Sequence, residues 1–113
     1  MPDSELRMES FARNPDCRIL HLTGPLVLND LFSFQDTLRA DPPPCLILDL
    51  AGVSYMDSSG MGAIINYYVS CQRNGRKFIV AGVSPRVMEL FIMTKVDKLL
   101  TLVPTVADAE SLV

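Results

Sequence analysis

Apolar positions along the chain alternate between short strand-like runs and longer stretches at helical spacing. Leu6 to Phe11 and Cys17 to Leu22 read as two short strands, and the residue types of Asn14-Pro15-Asp16 between them favour a turn, so a hairpin is predicted. After Thr23-Gly24-Pro25, the segment from Asn29 to about Arg39 places Leu31, Phe32, Phe34, Gln35 and Leu38 at mostly helical spacing, with Asn29 or Asp30 available as N-cap. Asp41-Pro42-Pro43-Pro44 stops that helix, because proline lacks an amide donor and disfavours helix in the residue before it.

Cys45-Leu46-Ile47-Leu48-Asp49-Leu50 is a nearly continuous apolar run with a polar exit, as suits a central strand covered on both faces. The chain turns at Ala51-Gly52. From Ser59 to Arg73, Met61, Ile64, Ile65, Tyr68 and Val69 fall on one helical face, and Asn74-Gly75 supplies a left-handed C-cap. On this spacing Tyr68 packs in the core and Tyr67 stays partly exposed. Lys77 to Gly82 is a second buried-type strand, followed by Ser84 as N-cap, Pro85 at the first helical position, and a helix carrying Val87, Met88, Leu90 and Phe91. Met88, Phe91, Ile92 and Met93 read as a packed face of it, with surplus apolar surface for partner or self-association as the alternative. Leu99 to Val103 adds a short strand, and Thr105 to Asp108 matches a capping pattern that opens a last short helix. Strands alternating with helices predict an α/β fold whose central strands are parallel and joined by right-handed crossovers.

The 113 residues and 49% hydrophobic content fit one domain over 1–113, with a core large enough to need no disulfide or metal. Ten basic against 13 acidic side chains give a net charge of −3, with no Lys/Arg block, which argues against a nucleic-acid partner. No apolar stretch has spanning length, and Met1-Pro2-Asp3-Ser4-Glu5 is acidic where a secretory signal is basic. A cytoplasmic protein without membrane insertion is expected. Cys17, Cys45 and Cys71 lie far apart in apolar segments and read as reduced packing residues. The only histidine, His21, has no metal-ligand spacing to anything except Cys17, so it reads as an exposed strand residue, and neither metal nor cofactor is expected.

One stretch carries chemistry. The strand ending at Leu50 leads through Val53-Ser54-Tyr55-Met56 into Asp57-Ser58-Ser59-Gly60-Met61-Gly62, at the mouth of the most regular helix. An oxygen on Asp57 or Ser58 can accept from unpaired helix amides, and the helix dipole favours an anion there, so a phosphate on Ser58 is locally tolerable. Gly60 and Gly62 carry no Cβ and would let a partner's backbone or a nucleotide-bearing active site approach. The same residues would equally serve as a plain helix cap, with the glycines giving close helix-to-sheet packing. A serine hydrolase is disfavoured, since Ser58 sits in Asp-Ser-Ser-Gly rather than Gly-x-Ser-x-Gly and His21 is the only imidazole. Gly60-x-Gly62 is followed by Ile65 where a dinucleotide fingerprint has its third glycine, and no Gly-Lys-Ser/Thr occurs.

The run Leu46-Ile47-Leu48-Asp49-Leu50-Ala51-Gly52-Val53-Ser54-Tyr55-Met56-Asp57-Ser58-Ser59-Gly60-Met61-Gly62 resembles the signature of STAS domains, most closely the bacterial anti-sigma factor antagonists. Leu22-Thr23-Gly24, Asn74-Gly75-Arg76 and Val83-Ser84-Pro85-Arg86-Val87 fit the same pattern. The resemblance implies a four-to-five-stranded mixed sheet with helices packed mainly on one face. It implies a protein that is not an enzyme, a monomer or weak homodimer, acting in signal transduction and transcription regulation by partner switching. Unphosphorylated, such a protein binds an anti-sigma factor that is also an ATP-binding serine kinase. Phosphorylation releases it, and a serine phosphatase resets it. Matched onto this chain, the phospho-acceptor is Ser58, and Asp57, Ser58, Ser59, Gly60, Met61 and Gly62 form the partner-binding segment. Gly24-Pro25-Leu26-Val27 lacks the acidic residue that many antagonists carry there, and Thr94-Lys95-Val96-Asp97 replaces their Ser/Thr-Gly-Leu turn. The alternative is a STAS interaction subunit of a lipid-transport or signalling complex that docks through the same helix edge without phosphorylation.

Overall fold

A computed structural model describes residues 6–113, so the acidic N-terminal reading of residues 1–5 lies outside the described residues. Strands β1 (Arg7–Asn14) and β2 (Cys17–Thr23) form the hairpin, in which the Asp16 amide donates to Asn14 Oδ1 at 2.9 Å. A 3-10 turn at Leu28–Asp30 leads into α1 (Leu31–Arg39), then follow β3 (Cys45–Gly52), α2 (Ser58–Asn74), β4 (Lys77–Ala81) and α3 (Pro85–Met93). A second 3-10 turn at Val96–Lys98 precedes β5 (Thr101–Val103) and α4 (Val106–Glu110). The five strands are ordered β1-β2-β3-β4-β5, antiparallel between β1 and β2 and parallel from β2 onward. The predicted mixed sheet is therefore present, with five strands.

Strict alternation along β2, β3 and β4 divides the core. Leu20, Leu22, Leu46, Leu48, Leu50, Phe78 and Val80 face the layer formed by α1, α2 and α3, where Phe34, Leu38, Ile64, Val87 and Phe91 meet them. The odd-numbered Cys17, Cys45, Ile47, Ile79 and Ala81 form the opposite face, closed by Ala109 and Val106 of α4. Three helices thus cover one face and one short helix the other. Among the described residues no helix is long and apolar enough to cross a membrane.

Three sequence expectations need correction. The buried face of α2 is Gly60, Ala63, Ile64, Tyr67 and Cys71 rather than the Met61, Ile65, Tyr68 and Val69 side, and Val69 is 42% exposed. Small residues at 60, 63 and 71 let the helix settle close to its neighbours, and Tyr67 then packs edge-on against Phe78 with ring centroids 5.0 Å apart. Counting only large apolar side chains selected the wrong tyrosine. On α3, Val87 and Phe91 are buried, but Ile92 is exposed and Met93 is 81% exposed, because both lie on the side away from the sheet. His21 is not a free strand residue: the parallel register sets it opposite Asp49, and its Nδ1 lies 2.7 Å from Asp49 Oδ2. The three cysteines are buried and unpaired, as expected.

Candidate functional site

The site is built where two parallel strands end side by side. β2 and β3 deliver the loops 24–28 and 53–57 to the same edge, and these loops continue the sheet's pairing after the strands have ended. The Gly24 amide donates to the Gly52 carbonyl at 2.9 Å, the Leu26 amide to the Tyr55 carbonyl at 3.0 Å, and the Asp57 amide to the Leu26 carbonyl at 3.3 Å. Leu26 and Met56 form an isolated parallel bridge, and both side chains are buried.

Asp57 is the N-cap of α2. Its extended backbone turns the chain into the helix, and its Oδ1 accepts from the Gly60 amide at 3.0 Å. Its other oxygen, Oδ2, accepts from the Leu28 amide at 3.1 Å, so one carboxylate both caps α2 and pins the loop entering α1. Both oxygens are thereby engaged within the domain. The capping reading of Asp57 holds in full, with a second hydrogen bond that sequence spacing does not show.

Ser58 follows as the first helical residue, exposed, with Ser59 half-buried beside it. The amides of a helix's first turn have no acceptor one turn back, and the helix dipole places positive potential there. A hydroxyl at this position is open to solvent and sits in a field that favours an added anion.

The two glycines differ. Gly60 is buried, and a Cβ there would lie 2.6 Å from the Leu26 carbonyl oxygen and 2.8 Å from Leu26 Cγ. Its missing side chain serves the contact between α2 and the 24–28 loop, not an approaching partner. A Cβ on Gly62 would meet nothing within 4 Å, so this position is open outward. Met61 is half-buried, and its Sδ accepts a contact from Thr94 Oγ1 at 3.3 Å, which brings the end of α3 beside the first turn of α2. Of the six residues singled out by sequence, Ser58, Ser59, Met61 and Gly62 present surface, whereas Asp57 and Gly60 hold that surface in place.

Sequence reading missed the flanks. Leu28 and Phe32 are exposed apolar residues on the 24–32 segment that Asp57 pins, Phe32 at 75% exposure. On the 53–57 loop Tyr55 is also exposed, with the Arg86 guanidinium 5.0 Å from its ring centroid. Phe32 was legible as apolar but read as inward, since helical spacing alone assigns it to the same broad face as Phe34. Nothing local in the sequence announces the Tyr55–Arg86 contact, which joins residues 31 positions apart.

The chain is 32% identical over 63 residues to an anti-sigma-B factor antagonist from Staphylococcus aureus, a match covering 56% of this chain and 58% of the relative. The matched region therefore spans little more than half of that protein's length. An anti-sigma factor antagonist from Mycobacterium paratuberculosis superposes with a TM-score of 0.85 at 21% identity, covering 96% of this chain and 94% of the other. The Bacillus cell fate determinant SpoIIAA in its phosphorylated form gives 0.74 at 14% identity, covering 95% and 100%. The murine Slc26a9 anion transporter gives 0.76 at 19% identity, but there the match covers 88% of this chain and only 18% of the transporter. At such identities the structural likenesses establish the fold. Residues 10–109 match the family model described as the STAS domain, so this chain belongs to the STAS domain family.

Proposed function

We propose that this STAS domain is an anti-sigma factor antagonist that acts as a kinase substrate rather than an enzyme. Unphosphorylated, it binds an anti-sigma factor that is an ATP-binding serine kinase; phosphorylation of Ser58 releases it, and a serine phosphatase restores it. The observation that carries the reading is the exposed Ser58 hydroxyl at the first position of α2, behind an N-cap whose carboxylate is already fully engaged. A phosphate there would add about −1.5 to −2 charge and three acceptor oxygens without displacing any hydrogen bond of the cap. Helix amides stabilise that charge in the free domain, whereas an interface would have to desolvate it beside Asp57.

The surrounding surface suits docking. Ser59, Met61 and Gly62 lie in the same turn as Ser58, and the exposed Leu28 and Phe32 lie on the segment tied to that turn by Asp57. Losing about 2.8 kcal/mol on phosphorylation would weaken binding roughly a hundredfold, enough for exchange of partners. The similarity to a curated antagonist supports the same reading. A constitutive docking subunit is the second reading, favoured by the likeness to a domain that forms a small share of a transporter and by the absence of an acid after Gly24.

Affinity capture from the source cytosol, with wild-type protein and Ser58→Glu as baits, separates the two. A small ATP-binding serine kinase enriched on the wild type and lost on Ser58→Glu, with Ser58 phosphorylated in the presence of ATP, is the expected result. One non-kinase partner retained by both baits, with Ser58 unmodified, would establish the docking subunit instead.

A further inference from the structure

Away from Ser58, α1 and α2 enclose an open cleft of about 320 Å³ whose lining includes Leu38, Arg39, Asn66, Tyr67, Ser70 and Arg76 and contains no carboxylate. Two polar groups in its wall are stranded. Tyr67 is 6% exposed and its hydroxyl is buried, as is the Nε of Arg76; neither meets an oxygen or nitrogen acceptor, and the group beside both is the Cys71 thiol. The other end of that guanidinium is held, with Nη2 donating to Ser70 Oγ at 3.1 Å. Neither Arg39 nor Arg76 forms an ion pair with a carboxylate among the described residues.

These groups share one chemistry. A guanidinium has donors only, and Nε of Arg76 lacks an acceptor. Burial pushes the Tyr67 phenol above its ordinary range, and the neighbouring Cys71 thiol, a weak acceptor, adds to this, so the hydroxyl stays a protonated donor. Ser70 and Asn66 add further polar groups, while Leu38 and Ala63 supply apolar wall. A buried donor without an acceptor is costly, and most such groups in folded proteins are met by something. Donors and cations lining one cleft without a compensating acid call for an acceptor-rich anion, and the volume falls at the lower end of small-molecule sites.

We propose that the α1–α2 cleft binds a small organic oxyanion, a phosphate monoester or carboxylate on a compact apolar body, through Arg39, Arg76 and Tyr67. The site does not use Ser58 and stands whether or not the partner-switching reading does.

The test is a titration of the 15N-labelled full chain with phenyl phosphate, benzoate and inorganic phosphate, followed at the amides of Ser70 and Arg76. Saturable shifts with at least one organic probe, at a dissociation constant of about 1 mM or tighter, are expected, and the tighter of the two identifies the head group. Arg76→Gln and Tyr67→Phe should each weaken binding about tenfold. Tyr67→Phe should leave the free protein at least as stable as the wild type, since the buried hydroxyl has only the weak Cys71 sulfur to lose and its desolvation cost goes with it, which a purely structural role would not allow. Should Arg76→Gln fail to fold, Arg39→Gln, at an exposed position, decides. The proposal is overturned if neither organic probe gives saturable shifts by about 10 mM, if inorganic phosphate matches both, or if Arg39→Gln and Tyr67→Phe leave binding unchanged.

Discussion

Asp57 and Leu28, 29 positions apart, are joined by a hydrogen bond from the Leu28 amide to Asp57 Oδ2 at 3.1 Å. With Oδ1 held by the Gly60 amide, this carboxylate couples the entrance of α1 to the first turn of α2. The turn bearing Ser58 is therefore positioned by a contact outside its own helix.

Asp57→Ala removes the acceptor for both amides and should lower stability by about 1–2 kcal/mol, the range of a lost N-cap with one further hydrogen bond. Asp57→Asn keeps a capping oxygen and should cost less. Urea unfolding midpoints of the two variants measure this. Equal midpoints for wild type and Asp57→Ala would show that the double contact contributes nothing.

Gly60 and Gly62 should respond in opposite directions to the same substitution. Gly60→Ala forces a Cβ against the Leu26 carbonyl and should destabilise by about 1–3 kcal/mol, more than the helix propensity gained from alanine. Gly62→Ala meets no neighbour and should stabilise by about 0.5–1 kcal/mol. Thermal melts of the pair decide the matter, and a stabilised Gly60→Ala would contradict the packing described.

Ser58→Ala should change stability by no more than about 0.5 kcal/mol, because the hydroxyl is exposed and makes no side-chain hydrogen bond among the described residues. Any loss of phosphorylation or of partner exchange in this variant is then a loss of the acceptor oxygen. Circular dichroism melts run beside the binding assay test this; a large drop in melting temperature would instead give Ser58 a structural role.

Alkaline pH should weaken the fold. Burial, with the thiol's hydrogen bond to Cys17 as the next cause, pushes the Cys45 thiol from 9.0 up to about 12, and burial likewise raises Cys71 and Tyr67. The native state therefore keeps protons that the unfolded chain releases, so stability is full below about pH 9 and falls as pH rises toward 12. Unfolding midpoints followed from about pH 8 to about pH 11 should decline, and Cys45→Ala, though less stable at the outset, should decline less steeply. Parallel slopes would remove Cys45 from this account.

Much of the architecture is written locally. The odd and even positions of Leu46 to Leu50 already separate the two faces of β3, and the Ser84-Pro85 and Thr105-x-x-Asp108 caps mark where α3 and α4 begin, with Ser84 Oγ accepting from Val87 and Thr105 Oγ1 from Asp108. The cap of α2 was readable to within one residue, as Asp57 or Ser58 ahead of a helix from Ser59, because capping depends on residues within one turn; the structure gives the cap to Asp57 and starts the helix at Ser58. Asn29 and Asp30 were less so: a 3-10 turn precedes α1, and Asp30 takes the N-cap position without a side-chain cap hydrogen bond.

What a residue does with its neighbours in the chain, from strand alternation to helix capping and turn formation, the amino-acid order determined by itself. Tertiary structure alone decided which side of α2 turns inward, so that Tyr67 and not Tyr68 meets Phe78, and that His21 faces Asp49. It also decided that Gly60 serves Leu26 while Gly62 stays open, and that Arg76 and Tyr67 share one cleft. The reason is that periodicity describes how apolar a face is, whereas packing selects a face by shape. Gly60, Ala63 and Cys71 count little as hydrophobes, yet they are the residues that allow close approach.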